Sequence, residues 1–180
     1  MELYQTVEDR NNPDHLEKNG PILCKENPWL GPGYYFWDTF YENAEWWGRV
    51  HYAGNYMICS ESSSKENEML DLVGNTSHLI EIQEAANKFR KRFPDEKLRV
   101  ARVLAFIKGE VKTFPYKAVR ANPINSKHYT EDMEDQIVYF AGHSYLELFP
   151  PIQVCVYDKC FLSGNFQVIY PPEYKQGFTI

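Results

Sequence analysis

The sequence predicts an α+β domain. Short runs of β-branched and aromatic residues recur along the whole chain, one long stretch has helical periodicity with two shorter helical stretches before it, and no internal repeat or linker divides them. A chain of 180 residues is large enough to bury about two thirds of the surface its unfolded form exposes, so residues 1–180 are expected to form one domain.

Taken in order, "MELYQT" opens with apolar and aromatic residues and predicts a short strand. Asp14 is placed to cap a brief helix, "DHLEKNG", closed by Gly20. "CKENPWLGPG" is a loop, and "GYYFWDTF" a strand running into a turn. In "TFYENAEWWGRV" Phe40, Ala44 and Trp47 share one helical face, with Gly48 at its end. "NYMICSES" predicts a strand and "SSSKENE" a polar loop. The longest helical signal is "SHLIEIQEAANKFRKRF", where Leu79, Ile82, Ala86 and Phe89 fall on one side and Pro94 comes just after. "RVARVLAFIKGEVKTFPYKAVRA" predicts two strands around a turn at Lys108 and Gly109. After the loop "NPINSKHYTED", strands are expected in "DQIVYF", "IQVCVYD" and "NFQVIY".

The net charge of −6 leaves no overall basic footprint, so binding to nucleic acid is not expected. The basic run Lys88, Arg90, Lys91, Arg92, Lys97, Arg99 and Arg102 is expected to be the solvated end of a helix and the start of a strand. None of the cysteines Cys24, Cys59, Cys155 and Cys160 forms a CxxC pair or has a histidine at ligand spacing, which argues against zinc. Cys155 is expected to act as a small buried hydrophobe. The first ten residues lack the pattern of a signal peptide, and no apolar stretch is long enough to span a bilayer. The expected location is the cytoplasm, with no membrane contact.

The sequence shows no nucleophile elbow, phosphate loop or dinucleotide GxGxxG pattern. The distinctive stretch is "LGPGYYFWDTFYENAEWWG", a Gly-Pro-Gly turn feeding a dense run of rings. Each ring taken alone is most simply core. Joined to it in order are polar Gln5 and Thr6 on the first strand and Gln153 at the start of a late one.

In that order, "LYQT", "HLEKNG" and "GPGYYFWDTFYENAEWW" resemble the N-terminal half of the ADP-ribosyltransferase fold, in the poly-ADP-ribose-polymerase and diphtheria-toxin branch. That branch carries His-Gly-Ser/Thr on its first strand and a GxGxYFA segment before a helix. The late "QVCVYDKCFLSGNFQVIY" is similar to its catalytic strand and final hairpin. The resemblance implies split, mostly antiparallel sheets around a cleft for NAD, and transfer of one ADP-ribose to a macromolecular acceptor, as in bacterial toxins of this type. Tyr35 and Trp46 would stack the nicotinamide, Gln5 would contact ribose, the Thr6 backbone would grip the carboxamide, and Gly31 and Gly33 would let the backbone approach closely.

The resemblance is broken at two positions. Gln5 stands for the family histidine, and Gln153 for the family glutamate. An amide in place of a carboxylate beside a developing oxocarbenium ion costs about 10²–10³ in rate, by analogy with the loss of one electrostatic contact. A second alignment puts the third motif at "MEDQIVYF", where Glu134 or Asp135 supplies the missing charge. An inactive binding module or sensor of the same fold is the alternative to an enzyme.

Overall fold

The computed structural model describes residues 1–26, 28–111, 113–123, 137–140 and 144–174. Strands β1 (Glu2–Glu8), β2 (Tyr34–Asp38), β3 (Tyr56–Ser62), β4 (Met69–Asp71), β5 (Ala118–Ala121), β8 (Gln153–Val156) and β9 (Gln167–Tyr170) form one seven-stranded sheet. Its order is β4-β5-β8-β2-β1-β3-β9. Strands β6 (Ile137–Phe140) and β7 (Ser144–Glu147) pair separately. The helices are α1 (Pro13–Asn19), α2 (Tyr41–His51), α3 (Thr76–Arg92) and α4 (Val100–Glu110). Pairing is antiparallel except between β4 and β5.

The α+β class is as expected, but the secondary structure differs at several points. "RVARVLAFIK" is not a strand. It forms α4, and Lys108 and Gly109 lie in its last turn. Val103 and Ile107, four apart, bury against Ala85 of α3, while Leu104 enters the cluster of Leu70, Val119 and Cys155. Packing of these helically spaced side chains overrides the strand preference of the two valines. Only the last four residues of that segment, β5, form a strand. The three residues of β4, which follow the expected polar loop, extend the sheet beside β5.

Gly48 does not end α2. It lies inside the helix, where a Cβ would sit 2.4 Å from the Tyr56 ring, so only glycine fits. Asn12 rather than Asp14 is the N-cap of α1, and Asp14 lies in the first turn, where its charge complements the helix dipole.

Strand alternation gives the large sheet two faces. Leu3, Phe36, Met57, Cys59, Val154 and Val156 pack on Leu16, Phe161, Leu162 and Phe166. On the other face α2 covers Trp37 and Ile58, and α4 covers Val119 and Cys155. Strands β1 and β2 pair only at Leu3–Asp38 and Tyr4–Trp37. Beyond that point the chain from Gly20 to Cys24 docks against both. The Gln5 amide bonds to the N–H and C=O of Ile22, and the Cys24 N–H to the Gly33 carbonyl.

Candidate functional site

The Gly-Pro-Gly turn is held against β8 at close range. A Cβ at Gly33 would lie 2.5 Å from the Cys155 sulfur and 2.8 Å from the Val156 carbonyl, and Gly31 has a φ of 97° that glycine adopts freely. Two tyrosines strap the turn in place. The Tyr35 hydroxyl donates to the Gly31 carbonyl at 2.9 Å and accepts from the Leu30 N–H at 2.8 Å, while the Tyr157 hydroxyl donates to the Leu30 carbonyl at 2.7 Å. Burial pushes the Tyr35 phenol well above its ordinary pKa, against the Leu30 N–H, which favours the phenolate. The ring expected to stack a ligand thus has its polar end committed to its own loop.

The strand order β8-β2-β1 brings Gln153, Tyr35 and the first-strand residues onto three neighbouring strands, although they lie at opposite ends of the sequence. It does not bring their side chains to one face. Gln5 projects with Leu3 towards α1, away from Tyr35 and Trp37. Its amide is used by backbone, donating to Ile22 at 2.9 Å and to the Tyr35 carbonyl at 3.1 Å and accepting from the Ile22 N–H at 2.7 Å. The first-strand side chains on the ring-bearing face are Tyr4 and Thr6. The Thr6 hydroxyl donates to the Ala44 carbonyl of α2. The Thr6 backbone lies within the sheet, in register with Ile58 of β3, and the Gln5 amide expected at a ligand ribose is taken up by the chain itself.

Between these positions stands Trp37, only 6% exposed. It pairs across β2 with both Tyr4 and Gln153, and its ring lies 6.3 Å from that of Trp46 and 6.0 Å from that of Trp47. Trp46 is buried in this indole cluster rather than facing Tyr35 across an open slot. The Gln153 side-chain oxygen accepts from the Trp29 indole at 2.6 Å. Glu134 and Asp135 lie outside the described residues. On α2, fully buried Asn43 donates to the Pro150 carbonyl at 3.1 Å, and among the described residues its side-chain oxygen has no donor.

The other face carries a polar cavity of about 450 Å³ lined by Asp38, Thr39, Asp71, Asn75, His78 and Arg120 among others. Arg120 is the hinge of its charges, donating from Nε to Asp38 at 2.6 Å and from Nη1 to Asp71 at 3.3 Å. Burial raises the Asp71 pKa, but N–H groups of Val73 and Gly74 and the Arg120 charge outweigh it and hold the carboxyl below its ordinary value. His78 Nδ1 accepts from the Asp71 N–H at 2.9 Å, so in the neutral ring the proton is on Nε2. Thr39 has a φ of 64°, which a β-branched residue rarely adopts, and is held by an N–H bond to Glu2 and a hydroxyl bond to Asp38. The cavity therefore combines hydrogen-bond donors and acceptors with largely compensated charge, which suits an uncharged polar guest.

Among the described residues no group of three or more His, Cys, Asp and Glu side chains is arranged to hold a metal, and no helix is long and apolar enough to cross a membrane. Cys59 and Cys155 are buried thiols pushed up to about 12 by desolvation, which keeps them unreactive. Comparison of the chain with protein-family models, with curated proteins and with solved structures gives no match.

Trp29, Trp37, Asn43 and the Asp38–Arg120–Asp71 trio are not among the expected site residues. Period-two alternation in "LYQT" is a usable signal that Gln5 and Thr6 leave opposite faces. The ion trio gives no local signal, because its members come from three separate strands.

Proposed function

We propose that this chain is an ADP-ribosyltransferase-type domain that binds a nicotinamide dinucleotide without cleaving it efficiently, a binding module rather than a working transferase. The observation that carries this reading is Gln153. It occupies a central strand next to the ring-bearing strand, it is neutral, and its carbonyl is occupied by the Trp29 indole. A neutral, committed amide gives little stabilisation to a cation forming at the ribose carbon. The binding half of the reading rests on the resemblance of the Gly-Pro-Gly and ring stretch, and Trp37, packed between Tyr4 and Gln153, limits the affinity of that face for a flat ligand.

The experiment is calorimetric titration of the protein with NAD beside an assay for released nicotinamide. Saturable binding with release no faster than in buffer is the expected result. Enzymatic release that is lost in Glu134→Gln or Asp135→Asn would replace the module with a transferase using the second alignment. Absence of binding would remove the NAD reading altogether.

A further inference from the structure

The α3–α4 hairpin joins the last turn of α3 to the first turn of α4 and forms a concentrated cationic tip. Between Lys88 and Arg102 it carries seven lysines and arginines against two acidic residues, on a chain whose net charge is −6. All seven are exposed. Two are neutralised locally, Arg92 by Glu110 at 2.7 Å and Arg102 by Glu96.

Helix stability accounts for only part of this. Arg90, Lys91 and Arg92 lie in the last turn of α3, where cations complement the dipole. The same rule opposes the cations at the start of α4. Arg99 is the N-cap of that helix, Arg102 lies in its first turn, and the turn has neither an acidic residue nor a side-chain cap. In the expected strand these charges would be ordinary surface. At the positive end of a helix they are locally unfavourable. Lys97, Arg99 and Arg102 also line a hollow of about 420 Å³, together with Asp95 and Glu96.

We infer that this tip is a contact surface for the phosphate backbone of nucleic acid. Four of its seven cations are arginines, whose planar fork matches phosphate oxygens. They are spread over two helix ends and the turn between them, which suits an extended row of charges better than one carboxylate. Protein partners need an apolar centre, and the exposed large apolar residues between Lys88 and Arg102 are only Leu98 and Val100. This contact reads no base sequence, and it is independent of any nicotinamide site.

The test is fluorescence anisotropy with a labelled DNA duplex of about 20 base pairs at about 50 mM salt, repeated at rising salt. The structure predicts binding that weakens steeply with salt, with a log–log slope of roughly −3 to −5 for the uncommitted cations. In the triple variant K88E/R90E/K91E affinity falls at least about tenfold, while R49E, on α2, leaves it unchanged. Matching circular dichroism shows that the triple variant is folded, and the milder K88Q/R90Q/K91Q gives a smaller loss in the same direction. Absence of binding by the parent protein, equal binding by the triple variant, or equally tight binding of polyglutamate would each overturn the assignment.

Discussion

The two faces of β2 are held together by different chemistry. On one, Phe36 is packed in the larger apolar cluster and Asp38 closes an ion trio with Arg120 and Asp71 beside a cavity. On the other, Tyr35 and Trp37 lie among rings, and the Tyr35 hydroxyl, Thr6 and Gln153 all have neutral hydrogen-bond partners. The difference shows where an aromatic-rich stretch invests its rings. Here they fasten a turn and fill a face, while the charge and the open volume lie behind them.

The contrast is broken most severely at Arg120. In Arg120→Met the Asp38 carboxylate, with a side chain only 4% exposed, loses its cation, and stability falls by about 3–5 kcal/mol in chemical denaturation. Adding Asp38→Asn to the same protein recovers a large part of the loss, because it removes the stranded charge. A single variant with near-parent stability would show that the trio is not a closed unit.

A smaller effect comes with pH. The folded-state pKa of Asp71 is depressed, so its contribution is fully present above the ordinary aspartate value and is lost as pH falls through the folded value. Stability should therefore drop below about pH 4, and Asp71→Asn should flatten that part of the profile while lowering stability at neutral pH. An unchanged acid profile in the variant contradicts the assignment.

Much of the sheet is legible in the sequence because β1, β2, β3, β8 and β9 are dense in β-formers, and α3 because its apolar residues recur at helical spacing. Even there the face is displaced: Ala85 is buried with Phe89, whereas Leu79 is 42% exposed. The start of α4 is misleading because valines and a Lys-Gly pair mimic a hairpin, and only contact with α3 and the sheet settles it as a helix. Order along the chain draws Gln5, Tyr35 and Gln153 onto adjacent strands, yet order has no knowledge of faces. The side chains of Gln5 and Tyr35 leave opposite faces of the sheet. Nor does local sequence reveal that Arg120 will meet Asp38 and Asp71, since those contacts exist only once the strands are aligned.

The most direct measurement is a calorimetric comparison of NAD binding by the parent protein and by Trp37→Ala. If the indole fills the slot between Tyr4 and Gln153, its removal should tighten binding at least about tenfold, near the 1.4 kcal/mol that such a change represents. Unchanged or weakened affinity in a folded variant would contradict it, and the rings of β2 and α2 would then be core alone.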